Sequence, residues 1–178
     1  MNAKDRGAAL ILAIMALALL AALGLSLAVL TGIEARVAAN YTNAHAGLAA
    51  AETALEFAAR EILLVTDWTG IVAGNTKSVL LDGPSAGART LADDSSVDLS
   101  QLTTHLGNPA WHLFAHGFLT DLEPVSSNAY IVIWAAASPP GQDAVLSIRS
   151  DAFGPSGARR GVQARISRLG ILSWGEVR

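Results

Sequence analysis

Three histidines are the first residues in this 178-residue sequence whose spacing could support chemistry. His112 and His116 are four residues apart, which on a helix would place both imidazoles on one face, and His105 lies seven residues before His112. Imidazole pairs of this kind can bind a metal ion such as zinc. No glutamate or cysteine occurs at a matching spacing, and apolar residues flank the pair. The sequence therefore favours ordinary surface or partly buried histidines over a metal centre.

Three aspartates form a second candidate cluster, in the stretch DDSSVD. Asp93, Asp94 and Asp98 could supply carboxylate oxygens to calcium. A calcium loop needs several oxygen ligands at defined positions, commonly with a glycine at its sharp turn. The stretch lacks that pattern, so calcium binding stays open as an alternative and no metal ligand is assigned.

Enzyme motifs are missing from the sequence. It contains no G-x-S-x-G nucleophile elbow and no glycine-rich phosphate loop before a helix. It has no cysteine, which excludes disulfides and thiolate metal sites. The net charge of −3 gives no support for a nucleic-acid partner. We therefore expect no catalytic activity and no cofactor.

The N-terminus contains a long apolar segment behind a short basic start. The run from Ala8 to Leu30 carries no charge, and a helix of roughly 20 apolar residues can cross a bilayer. The apolar region of a cleaved secretory signal is usually only about 7–15 residues long, and no clear cleavage motif closes this run. The sequence therefore favours a membrane-spanning helix. Lys4 and Arg6 favour an N-terminus in the cytoplasm, with the remainder translocated.

A helical pattern continues beyond the apolar run. Apolar residues recur in steps of three and four, which is typical of an amphipathic helix. No proline occurs between Met1 and Ile62, so the two segments can form one helix over residues 8–64. Its alanine-rich sides suit either a packed stalk or helix-to-helix assembly. The predicted apolar stripe consists of Ile33, Val37, Tyr41, Ala44, Leu48, Ala51, Leu55, Ala58 and Ile62.

The rest of the chain, residues 65–178, is expected to form a small head. Residues 66–127 are rich in turn residues and predict a loop region with short elements, in which 110–119 forms a brief helix or strand. The segments NAYIVIWAAA, AVLSIRSDAFG and GVQARISRLGIL predict three antiparallel strands over about 128–170. We expect the helix to cover an apolar face of this sheet and the other face to be polar. The predicted fold class is thus α+β.

Three consecutive segments carry a resemblance to a known family. The stretch RGAALILAIMALALLAALGLSLAV is followed by Glu34-Ala35-Arg36-Val37-Ala38-Ala39-Asn40 and by Ala46-Gly47-Leu48-Ala49-Ala50-Ala51-Glu52-Thr53-Ala54-Leu55. Together they resemble the N-terminal region of PilX-like type IV pilus minor pilins, which belong to the pilin and pseudopilin superfamily. The match covers roughly residues 5–60.

The resemblance implies a maturation pathway and a location. Residues 1–7 would be a leader that prepilin peptidase removes after Gly7, leaving an N-methylated Ala8. Residues 8–31 would then span the inner membrane and later enter the filament core, and residues 32–64 would continue the helix. The head would be periplasmic and would reach the pilus or cell surface. The implied partners are other minor and major pilins, the inner-membrane assembly platform and membrane lipid.

One residue departs from the pattern of major pilins. They carry a glutamate at the fifth mature position, which is Leu12 here, and that acid is thought to pair with the terminal amine of a neighbouring subunit. The departure implies a minor pilin at or near the filament tip that helps to start assembly. A tip pseudopilin of type II secretion and a single-pass anchored binding domain are the alternatives. The candidate assembly residues are Leu12, Glu34, Arg36 and Glu52.

Overall fold

The computed structural model describes residues 3–91, 93–106, 110–121, 128–138 and 145–177. A long helix is followed by a small two-stranded sheet, a five-stranded sheet and short helices. The helices are α1 (Ala3–Leu64), α2 (Thr69–Val72) and α3 (Leu99–His105), with short 3-10 turns at Leu119–Asp121 and Pro155–Gly157. The strands are β1 (Ala88–Thr90), β2 (Ser96–Asp98), β3 (His112–Phe118), β4 (Tyr130–Ala137), β5 (Val145–Phe153), β6 (Arg159–Ser167) and β7 (Gly170–Val177).

The chain divides into two units inside α1. The first unit is Met1–Thr42, and the second is Asn43–Arg178. In the first unit the side chains of residues 10–42 are all exposed, including every large apolar one. The hydroxyls of Ser26 and Thr31 donate to the carbonyls of Ala22 and Leu27, so these polar groups are satisfied within the helix itself.

In the second unit, the main sheet is an antiparallel meander in chain order, β3-β4-β5-β6-β7. The predicted α+β class and the packing of the helix on an antiparallel sheet are confirmed. The prediction of three strands was wrong, because the sheet has one further strand at each edge, β3 and β7. The stretch GVQARISRLGIL contributes to two strands, β6 and β7, which are joined by a turn that ends at Gly170 with φ +132°. The segment predicted as loop contains β3, which resolves the helix-or-strand alternative at 110–119.

One face of the sheet packs on the last turns of α1. The helix buries a row that consists largely of alanine, because small side chains let its backbone approach the sheet closely. The predicted stripe is buried at Ala51, Leu55, Ala58 and Ile62, whereas Ile33, Val37 and Tyr41 are exposed. The sheet supplies larger partners to this core, namely Ile131, Ile133, Ala135, Leu146, Ile148, Ala152, Val162, Ala164 and Ile166.

The opposite face of the sheet was expected to be polar, and its centre is apolar. Tyr130, Val132 and Trp134 of β4 are fully buried there. A second cluster covers them, built from Leu91, Val97, Leu99, Leu102 and Phe153. The cause is that the turn-rich region folds back over the sheet, so β4 is buried on both sides and reads as an unbroken apolar run.

Candidate assembly surfaces

The candidate assembly residues of the N-terminal unit lie on an exposed helix surface. Leu12 is 67 % exposed, and Glu34 and Arg36 are also exposed. Gly7 and Ala8, the proposed processing positions, belong to the backbone of α1. In the described part of the chain, α1 is the one helix that is long and apolar enough to cross a membrane, by length and composition.

Glu52, the remaining candidate, belongs to the second unit and lines a groove of about 240 Å³. The groove lies between α1 and β7, and its other lining residues are Leu55, Glu56, Ile171 and Trp174. Glu56 forms an exposed i,i+4 ion pair with Arg60 at 3.8 Å, as their spacing predicts. The sequence did not indicate this groove, because its far wall belongs to the unpredicted strand β7.

The predicted histidine cluster is dispersed by the fold. His112 and His116 lie on strand β3 rather than on a helix, and the side chain of His105 is outside the described residues. His112 packs against Gly74, where an added Cβ would come within 2.9 Å of the imidazole Nδ1. Among the described residues, no group of three or more potential ligands of the His, Cys, Asp or Glu type comes together.

His116 is fully buried and shares a hydrogen bond of 3.1 Å with the Tyr130 hydroxyl through Nδ1. Its Nε2 has no hydrogen-bond partner among the described residues. Burial lowers the pKa of His116, and the positive charge of Arg89 acts in the same direction. Burial also raises the pKa of Tyr130 to about 12. The pair is therefore neutral at pH 7 and acts as a polar contact inside the second core.

The three aspartates organise turns in the structure. Asp93 accepts hydrogen bonds from the Ser95 amide at 3.2 Å and from its hydroxyl at 2.5 Å. Asp98 accepts from the Ser100 amide at 2.9 Å, at the start of α3, and Asp94 adopts a left-handed backbone with φ 62°. These are the local bonds that aspartate makes in turns and at helix N-termini. The calcium alternative gains no support from this geometry.

A buried carboxylate was missed by the sequence reasoning. Asp151 of β5 lies 3.1 Å from Arg149 and 2.8 Å from Arg159, and its side chain is 1 % exposed. Gly161 lies opposite it, where an added Cβ would be 2.2 Å from its Oδ1. Arg159 also stacks on Phe153, with 5.3 Å between the guanidinium carbon and the ring centroid. The i,i+2 spacing of Arg149 and Asp151 on one strand was the only available signal.

A second missed arginine ties the hairpin turn to the end of α1. Arg168 donates to the carbonyls of Val65 and Thr66, at 2.5 and 2.7 Å, and lies 4.0 Å above the Trp68 ring. Carbonyls at a helix C-terminus lack partners within the helix, so a guanidinium there satisfies them. The contacts of Arg168 hold the helix end against the sheet.

Nearby, hydrogen bonds from Thr69 lower the pKa of Asp67, which helps to line a cavity of about 640 Å³.

Comparison with known proteins gave a match to a family model in the N-terminal region. Residues 6–56 match the family model described as PilX N-terminal. The match covers less than a third of the chain and lies within α1. No curated protein and no solved structure gave a significant match. The head therefore has no relative in these comparisons, and its surfaces are interpreted from their own geometry.

The matched region begins at Arg6, beside the basic start, and includes Leu12, Glu34, Arg36 and Glu52. It is followed by a head with a meander sheet packed on the last turns of the helix. The first feature was expected from the resemblance, and the second was expected from the strand pattern of the sequence. The chain thus carries an N-terminal segment that matches the PilX N-terminal family model, on an α+β, pilin-like architecture.

Proposed function

We propose that this chain is a minor pilin of a type IV pilus that helps to initiate filament assembly at or near the tip. It is inserted in the inner membrane with its N-terminus in the cytoplasm and its head in the periplasm. Prepilin peptidase cleaves it after Gly7, and the assembly platform transfers it to the filament. The match over residues 6–56 carries this proposal, because it includes Arg6 and Gly7 together with the apolar helix.

The proposed role is structural. The exposed apolar surface of α1 supports it, since such a surface must be covered by lipid or by other helices. The exposed small side chains along the helix allow neighbouring helices to approach closely. We propose no catalytic activity. The proposed partners are major and minor pilins, with prepilin peptidase, the assembly platform and membrane lipid during maturation.

The mass of the mature N-terminus tests the proposal directly. We expect mass spectrometry of the protein from pilus-producing cells to find N-methylated Ala8 as the first residue. A Gly7→Ala variant, changed only at the proposed cleavage site, is the control and should keep the leader. Met1 retained in the wild-type protein would contradict the proposal and leave a single-pass anchored binding domain. Processed protein found only in a type II secretion filament would instead support the pseudopilin alternative.

A further inference from the structure

The two edges of the main sheet differ in how they are covered. The outer edge of β3 is closed by the segment Ser78–Asp82: the Ser78 amide donates to Phe114 and the Asp82 amide donates to His116, each at 2.9 Å. No described segment pairs with the outer side of β7. An open edge presents unpaired N–H and C=O groups that can accept another strand. The edge of β7 is therefore the available one.

The sequence and register of β7 do little to protect this edge. Natural edge strands are commonly blunted by lysine, proline or a bulge. β7 has neither lysine nor proline, and its irregularity leaves Leu172 without a partner in the register, near the turn. Gly175, Trp174 and Ser173 pair regularly with β6. The remaining part of β7 is a regular strand with a free side.

Large apolar side chains are exposed beside this edge. Trp174 is 61 % exposed, Leu172 57 % and Ile171 46 %. Ile171 pairs with Ile166 and Trp174 with Ala164, so both lie on the sheet face that packs on α1. Together with Leu55 they form the apolar part of the groove. An exposed tryptophan in a groove is a typical anchor at protein interfaces.

The charges around the groove indicate the chemistry of its occupant. Glu56 is paired with Arg60, and Glu176 is paired with Arg160 at 3.1 Å. Within the described part of the chain, Glu52 makes no salt bridge. The uncompensated charge beside the groove is therefore negative, which favours a partner that brings a basic side chain.

We propose that the β7 edge surface, defined as β7 with Glu52 and Leu55 of α1, binds an extended segment of a different pilin subunit. The segment adds a sixth strand, so its backbone pairs with β7. One apolar side chain enters the groove beside Trp174. A lysine or arginine two residues away lies on the same face of the added strand and reaches Glu52. This inference rests on the proposed function, because it takes a pilin as the partner.

A second copy of β7 does not meet these requirements. The strand contains no lysine or arginine, and Glu176 is its one charged residue. Pairing two copies would bring a second acid to the surface and leave Glu52 without a cation. The occupant is therefore a segment of different sequence.

Site-specific photocrosslinking in the full-length chain tests this inference. p-Benzoylphenylalanine replaces Trp174 in pilus-producing cells, and crosslinked peptides are identified by mass spectrometry in membranes and in sheared filaments. We expect crosslinks to a lysine- or arginine-containing segment in the head of another pilin. Glu52→Gln in the same chain should lower the crosslink yield about 1.4- to fivefold, the range for an exposed ion pair.

Two matched controls accompany the test. The photoprobe at Val79, an 86 % exposed residue beside the covered edge, should not give these crosslinks. Asp94→Asn removes an exposed charge that is not part of the β7 edge surface and should leave the crosslink yield unchanged. Crosslinks from Trp174 only to lipid, only to a second copy, or in the same pattern as from Val79 would overturn the inference. If the chain is present in sheared filaments, the proposed function survives that result; absence from filaments contradicts the function itself.

Discussion

At the scale of single residues, His116 and Leu12 each give a testable prediction. His116 is buried, and its pKa is lowered by that burial. The folded state therefore binds a proton less readily than the unfolded state does. By linkage, the contribution of His116 is constant above the ordinary histidine pKa of 6.5 and is lost as the pH falls from there towards the lowered folded value.

We expect the head to lose stability between pH 7 and pH 5, with a slope of up to about 1.4 kcal/mol per pH unit from this one group. His116→Gln keeps a hydrogen-bonding group for Tyr130 and should flatten that slope, measured as the free energy of unfolding by urea at each pH. Val79→Ala, at an exposed residue that does not titrate, is the control and should retain the wild-type slope. An unchanged slope in His116→Gln would refute this assignment.

Leu12 bears on the position of the subunit in a filament. In the proposed tip position a carboxylate at residue 12 would have no terminal amine to meet. An unpaired carboxylate inside a membrane-spanning segment is also costly. We expect Leu12→Glu and deletion of the chain both to lower the number of filaments per cell, counted by electron microscopy. Leu12→Ile should behave as wild type, and indifference to both Leu12→Glu and deletion would refute the tip position.

The element that connects the apolar segment to the head is α1, and alanines on its last turns set its distance from the sheet. Ala58 is fully buried against the sheet, whereas Ala49 on the same helix is exposed. Arg168 adds hydrogen bonds to carbonyls just beyond the end of this helix. The packed side of the helix therefore tolerates little added volume.

We expect Ala58→Leu to destabilise the head by about 1–3 kcal/mol, because a larger side chain forces the helix and sheet apart. Ala49→Leu inserts the same side chain on the exposed side and should change stability by less than about 0.5 kcal/mol. Urea denaturation of the full chain in detergent measures both. Equal effects of the two substitutions would show that helix–sheet packing is not what Ala58 provides.

At the scale of the whole molecule, the apolar helix surface and the folded core belong to different units. Every buried core residue among those that the structure describes lies in Asn43–Arg178, and residues 10–42 are exposed throughout. The core of the second unit therefore does not depend on the first.

A chain reduced to residues 43–178 should consequently be soluble without detergent and should unfold cooperatively, as judged by size-exclusion chromatography and by circular dichroism during heating. The matched control is the full-length chain, which we expect to require detergent because its exposed apolar segment is retained. Aggregation of the shortened chain, or a gradual loss of its signal, would contradict the division into two units.

The sequence by itself determined the features that depend on local order. The uncharged run from Ala8, the stripe that ends at Ile62, the absence of Cys and the strands β4 and β5 all follow from composition, periodicity or turn residues. The PilX-like resemblance also rests on one continuous segment, and the family match confirmed it over residues 6–56. Such features need no knowledge of distant contacts.

Only the tertiary structure decided which elements and side chains contact one another. It placed His112 and His116 on β3, covered the second face of β4, put Asp151 between two arginines and left β7 open beside Glu52. These arrangements bring together residues far apart in the chain, and their free energies come from burial and pairing across that separation. A periodic pattern records which way a side chain points along its own element, but not which other element will cover it.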